Sequence, residues 1–420
     1  MKRYLFGFLV LGGAVALAGA CSSNGEETGG TGATTTTTTT TGQGGTGTGG
    51  FAVGGGGAGQ GGEAQGGGGS APTGKWVSGY HVGYQAWLYP TDAIDFSGLT
   101  HLVVGAALPN ADGTLDTSFY LGGAQGPAFA TELTTAAHLA GKKAILMIGG
   151  AGTYAGFSSA ASSAHRAAFV QNLLAARNDL GFDGLDLDWE PLGPADAPDF
   201  TALAEALRAA DPTLILTVPV GYVNANFPQV DAFWATVAPL FDQINMMTYG
   251  MADAWPGWDS WHSSALAGES GTTPTSVSSS AEAYIAGGVP AEKIGVGIGF
   301  YGSCWAGGVT APGQAAGGSS VVASDNDMSF TNIVNDYYVP GNAHYDAAAD
   351  APYLGFANGH GPYGCTFLSY EDEQSILAKG AYVKSRGLGG AIIWTIGQGY
   401  LAAAAEPNPL LVATRQGFLE

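Results

Sequence analysis

GFDGLDLDWEP, residues 181–191, alternates acidic and apolar side chains in the order Asp186, Leu187, Asp188, Trp189, Glu190. Side chains along a strand point to opposite faces in turn, so Asp186, Asp188 and Glu190 share one face and Leu185, Leu187 and Trp189 the other. Buried parallel strands ordinarily read as near-continuous Val, Ile and Leu. Three carboxylates on a strand flanked by Gly181, Phe182 and Gly184 therefore point to an enclosed face reserved for chemistry. The alternative is a solvated edge strand, which the central position of the stretch disfavours. Successive carboxylates stand about 6.6 Å apart along the strand. Ionised together in an enclosed space they repel, so a proton is shared and some pKa values rise. Asp183 is out of parity with the other three and reads as a strand-entry residue that bonds backbone.

Working outward, β-rich apolar runs at 77–82, 99–106, 144–148, 184–188, 214–220, 243–248, 294–300 and 391–395 predict eight strands. Helical patterns at 129–140, 164–179, 200–210, 231–240, 277–286 and 373–386 lie between them. Strand followed by helix, with Gly or Pro punctuation, predicts parallel strands with right-handed crossovers. Eight such units predict an α/β fold, a (β/α)8 TIM barrel with an insertion between strand 7 and the last helix. The segment 84–98 shows no helical pattern, so the first unit is irregular. The insertion, at about 303–366, is too long for a plain connection, and long connections are usually functional. Glu190 falls at the carboxyl end of its strand, where barrel enzymes hold their reactive groups.

The remainder of the 420 residues divides in two. Lys2 and Arg3 precede an apolar run that ends in Ala18, Gly19, Ala20 and Cys21, the pattern of an export signal over 1–20. It resembles a bacterial lipoprotein signal with Cys21 as the lipidated residue, although Leu17 stands one place early; plain secretion with a free Cys21 is the alternative. Residues 21–74, with eight consecutive threonines at 34–41, have too little apolar surface to offset ordering and read as a flexible tether. The folded domain is then 75–420. The expected location is outside the cytoplasm, lipid-anchored at the cell surface or periplasmic face, or else secreted. Export favours disulfides, and with Cys21 set aside Cys304 and Cys365 form an even pair at the base of the insertion, either bridged or as two buried thiols. A net charge of −21 with 13 Lys and Arg argues against phosphate-directed nucleic-acid binding. The membrane enters only through Cys21.

DGLDLDWE, 183–190, matches the DGxDxDWE signature of the family-18 glycoside hydrolases, the chitinase family. KAILMIGG (143–150), NMMTYG (245–250), IGVGIGFYG (294–302) and FLSYEDEQSILAKGAYVKSRGLGGAIIWTI (367–396) are similar to that family's third, sixth and seventh strands and its last helix and strand. The resemblance spans about 76–400. It implies that Glu190 protonates the glycosidic oxygen, that Asp188 orients the substrate's 2-acetamido group, and that Asp186 shares a proton with Asp188. It further implies that Tyr249 hydrogen-bonds the acetamido group, that Trp394 floors the sugar site, and that Tyr80 and Met247 line it. The substrate so implied is chitin or another N-acetylglucosamine glycan, cleaved with retention by attack of its own N-acetyl oxygen. No metal or cofactor is implied, and the scattered histidines show no ligand spacing.

Departures from the pattern fall around the acid. Gly250 stands where the family usually has Asp, with Asp253 and Asp259 as candidate substitutes; Pro191 and Met147 also differ. In the loop MADAWPGWDSWHSS, Trp255, Trp258 and Trp261 read as a sugar-stacking platform, with packing of the loop as the alternative. Trp305 carries the same two readings, whereas Trp76, Trp87 and Trp234 are expected in the core. Two alternatives to chitin hydrolysis stay open: an endo-β-N-acetylglucosaminidase acting on N-glycans, and a non-catalytic chitin-binding surface lipoprotein.

Overall fold

A computed structural model describes residues 74–420 except 227; the expected signal, the tether and Cys21 lie outside the described residues. Eight parallel strands form a closed barrel. They are β1 (Trp76–Val82), β2 (His101–Pro109), β3 (Lys143–Gly150), β4 (Gly184–Trp189), β5 (Ile215–Val220), β6 (Gln243–Met246), β7 (Ile294–Gly299) and β8 (Gly390–Trp394). Each pairs with its sequence neighbours, and β1 closes the ring by pairing with both β8 and β2. The (β/α)8 expectation therefore holds, with strand positions within a few residues of those predicted.

The parity of the opening stretch is realised in three dimensions. Leu185, Leu187 and Trp189 join the large core under the helices, with Trp189 stacked on Phe157 at 4.9 Å. Asp186 points the other way, toward Tyr80, a member of a smaller cluster that also contains Val103, Ile145, Met147 and Ile392. Burying the outward face against aromatic side chains fixes the register, because a slip of one residue would drive the acids into that core.

Helices follow most strands where the pattern placed them. The last, Glu373–Arg386, starts with Asp372 accepting the Ser375 N–H at 2.8 Å and stops at Gly387, whose φ of +68° suits a residue without Cβ. The helix predicted at 231–240 is a short helix, Phe233–Val237, continued by a 3₁₀ turn. After β1 the chain makes three 3₁₀ turns, and the C-terminal helix Pro409–Thr414 packs on the third of them, Phe96–Gly98. The close approach explains Gly98: a Cβ there would lie 2.7 Å from the Leu411 carbonyl oxygen.

The insertion is a five-stranded antiparallel sheet, unforeseen in its Gly-rich sequence. In spatial order its strands are Ser320–Ser329, Tyr301–Ala306, Cys365–Ser369, Ala351–His360 and Ala343–Asp346. The first and last strands in sequence, Tyr301–Ala306 and Cys365–Ser369, pair directly, and the Cys304–Cys365 disulfide joins them.

Candidate active site

The acids of β4 meet the barrel mouth at a cavity of about 290 Å³. Asp188, Glu190, Tyr80, Tyr249, Trp394 and Met247 all line it, so six of the positions picked from the sequence converge. Asp186 lies one rung below, fully enclosed. Its Oδ2 accepts the Tyr80 hydroxyl at 2.7 Å and its Oδ1 the Thr217 hydroxyl at 2.5 Å. Burial pushes its pKa up to about 6, against the lowering effect of those two hydroxyls.

Asp188 is pushed well above the usual carboxylate range, first by burial and then by the charges of Glu190 and Asp186. The neighbouring Glu190 carboxyl raises Asp188 further, so the two acids are not both ionised at once in this enclosed space. Burial still leaves Glu190 above its ordinary value. Asp188 Oδ1 is buried with no hydrogen-bond partner among the described residues. Buried acceptors are ordinarily satisfied, so such an oxygen suits a ligand N–H.

Two glycines ending β3 make room beside these acids. Gly149 and Gly150 have φ of +94° and +105°, and a Cβ on Gly150 would lie 3.7 Å from Asp188 Oδ2. A side chain on Gly150 would enter that space, one on Gly149 would collide with the Asp188 carbonyl and the Phe157 ring, and either would hold a disfavoured backbone conformation. At the opposite end of the strand, Asp183 accepts from Lys143 Nζ at 2.8 Å and from the Ala144 N–H at 2.9 Å, and pairs with His138 at 2.8 Å. It is a structural clamp, as its parity implied.

The tryptophan platform requires correction. Trp258 and Trp261 are 7% and 5% exposed, so neither offers a flat face to a sugar. Trp261 donates its indole N–H to the Thr275 carbonyl at 3.0 Å and packs with Trp305 and Phe367 against the insertion sheet. Trp255 is 38% exposed but does not line the cavity. Burying apolar rings between loop and sheet outweighs leaving them in water, which is why the packing alternative prevails. Trp76 and Trp234 are core as expected, whereas Trp87 is 79% exposed. It falls in the irregular segment after β1, where no helix covers it.

Tyr84 and Tyr120 also line the cavity mouth, their rings in edge contact at 5.3 Å, and were not picked from the sequence. Tyr84 lies directly beyond the carboxyl end of β1, the position that barrel topology marks as functional. Neither Asp253 nor Asp259 reaches the cavity. Beside Gly250, at φ +60°, stands Tyr301 instead: a Cβ on Gly250 would lie 3.3 Å from the Tyr301 hydroxyl.

Comparison with known proteins agrees with this geometry. Chitinase A1 of Niallia circulans is 30% identical over 286 residues, covering 60% of this chain and 40% of the relative. A probable endochitinase of Caenorhabditis elegans is 31% identical over 281 residues, covering 60% and 43%. The chain thus spans less than half the length of these two relatives. Among solved structures, the Ostrinia furnacalis Group IV chitinase aligns with a TM-score of 0.69 and 25% identity, over 82% of this chain and 100% of that one. The sequence profile of the glycosyl hydrolases family 18 matches residues 77–399, nearly the whole barrel and its insertion, and the chain belongs to that family.

Proposed function

We propose that this protein is a glycoside hydrolase that cleaves β-1,4-linked N-acetylglucosamine polymers, chitin and its oligosaccharides, with the substrate's acetamido group as nucleophile. The observation that carries the reading is the convergence of Asp188 and Glu190 from one strand end with Tyr249 and Trp394 on a single cavity. Two-carboxylate glycosidases hold their acids about 5–9.5 Å apart so that they flank the anomeric carbon. Asp188 and Glu190 stand side by side on one face of the same strand end rather than across the cavity from each other, and Asp186, the next acid, is engaged by Tyr80 and Thr217. The nucleophile then has to come with the substrate.

In this mechanism Glu190 donates its proton to the glycosidic oxygen as the C1–O bond breaks, and the acetamido carbonyl oxygen bonds to C1. Asp188, through the open Oδ1, accepts from the acetamido N–H and stabilises the positive charge of the resulting oxazolinium ion. Tyr249 donates to the acetamido oxygen, and Trp394 supports the sugar ring. Water then attacks C1, Glu190 takes its proton, and the configuration is retained. Solved relatives support the substrate class: a class V chitinase of Nicotiana tobaccum with 23% identity has been captured with NAG4.

Glu190→Gln is expected to lower turnover of chitooligosaccharides about 10²–10⁴-fold while chitotetraose binding persists. Release of glycan from a high-mannose glycopeptide, with chitooligosaccharides left intact, would instead favour the N-glycan reading. Chitin binding without cleavage of either substrate would favour a lectin.

A further inference from the structure

Tyr249 lies just beyond the carboxyl end of β6, outside any strand, so no sheet ladder sets its direction. Its backbone neighbours are held instead by two serines from the loop that follows. The Ser264 hydroxyl donates to the Thr248 carbonyl at 2.6 Å, and the Gly250 N–H donates to the Ser263 hydroxyl at 3.2 Å. The Met251 N–H donates to the Ser263 carbonyl at 2.9 Å. Thr248 is fastened through its side chain as well, its hydroxyl accepting the Gly297 N–H of β7 at 2.8 Å. Tyr249 is thus gripped on both flanks, while it lines the cavity and meets the Tyr301 ring edge-on at 6.0 Å.

Behind the serines stands a buried ion pair that the hydrolytic steps do not use. Lys379, on the helix Glu373–Arg386, and Glu371, just before that helix, are 0% and 3% exposed. The Lys379 ammonium donates to the Ser264 hydroxyl and to the Ser264 carbonyl, both at 2.9 Å, and to Glu371 Oε1. All three of its donors are thereby spent. Glu371 Oε2 accepts the Ser375 hydroxyl at 2.6 Å. Burying an ion pair gains little stability over apolar side chains of the same volume. What an apolar side chain in place of Lys379 could not do is orient a hydroxyl. Because an ammonium only donates, it occupies a lone pair of the Ser264 oxygen and leaves the hydroxyl proton to the Thr248 carbonyl.

We propose that Ser264 is a positioning residue for Tyr249: its hydroxyl, oriented by the buried Lys379 ammonium, fixes the Thr248–Tyr249 peptide and so aims the tyrosine hydroxyl at the substrate's acetamido group. A rotation of that peptide would sweep the far end of the ring through the largest arc, and a displacement of about 1 Å at a reacting group can cost on the order of 100-fold in rate. The grip matters more because the next residue is Gly250, at φ +60°, whose backbone offers little resistance to such a rotation. The carbonyl before Tyr249 and the N–H after it are the two handles by which its direction can be held, and the serine pair takes both.

This inference rests on Tyr249 contacting the acetamido group in the proposed hydrolase. Its test is a double-mutant cycle on the full-length protein, with Ser264→Ala, Tyr249→Phe and the pair, assayed on chitotetraose. Alanine removes the hydroxyl and leaves Lys379 its bonds to the Ser264 backbone carbonyl and to Glu371. Ser264→Ala is expected to lower kcat about tenfold and to raise KM about threefold. In the Tyr249→Phe background, which has no phenol to aim, the same change is expected to cost less than about twofold in either constant. A Ser264→Ala loss of equal size in both backgrounds, as a purely structural role would give, or no loss in the first, overturns the proposal. Should the wild type leave chitotetraose intact, the hydrolase reading falls and the same cycle is read from calorimetric Kd values for that oligosaccharide. Binding is then expected to weaken about threefold where Tyr249 is present and to stay unchanged where it is not, and equal weakening in both backgrounds, or none in the first, again overturns the proposal.

Discussion

Asp186 sits deepest of the three inward acids, and its burial makes it a liability to the fold. Its pKa in the folded protein is about 6 against an ordinary 3.8, with burial as the cause. A carboxyl group raised on folding contributes most below its unfolded value, and that contribution is lost as pH rises through the folded value. Between pH 3.8 and about 6 the wild type therefore surrenders stability to ionise a buried group. The full amount is about 3 kcal/mol at 1.36 kcal/mol per unit. Asp186→Asn is expected to melt higher than the wild type above pH 6, with the gap closing toward pH 4, while hydrolysis falls. Thermal melts of both proteins across that range check it; a gap independent of pH would contradict it.

Among the elements, the insertion sheet depends on its own fastening. The disulfide spans 61 residues, and in the chain-entropy picture closing such a loop stabilises by about 4 kcal/mol. The Cys304→Ser/Cys365→Ser variant is expected to lose up to about that amount in chemical denaturation, with the insertion opening before the barrel. Protection of amides in 343–360 and in β4 from hydrogen exchange, compared between the two proteins, reads this out. The strands and helices of the barrel were legible because each has one apolar stripe at a regular period, as in Leu185, Leu187 and Trp189. The insertion strands were not. SVVASDNDMS and APYLGFANGH mix glycine, acid and aromatic side chains without a regular period, and their pairing is set by contacts distant in sequence. Trp261 was misread for the same reason, since its cover comes from a part of the chain whose structure the sequence did not reveal.

At the scale of the whole molecule, the active cavity was legible where its residues lie on one strand end or in a local motif: Asp186, Asp188 and Glu190, Tyr249, and Trp394. It was not legible where residues meet only through folding, as Tyr84 meets Tyr120. Charge is a further global property. The chain carries −21, but a neutral oligosaccharide offers that field nothing to steer. The ratio kcat/KM on chitotetraose is therefore expected to vary less than about twofold between roughly 0.05 and 0.5 M NaCl, whereas steered association would fall steeply.

Strands β7 and β8 pair with each other directly, from Gly295 with Gly390 to Gly299 with Trp394, so the ring closes without any help from the sheet inserted between them. The outgoing and returning strands of that sheet are stapled together at Cys304 and Cys365. Everything between the two cysteines is in effect a cassette. The acids on β4 and the closure of the ring thus rest on strand pairings that the inserted sheet does not enter.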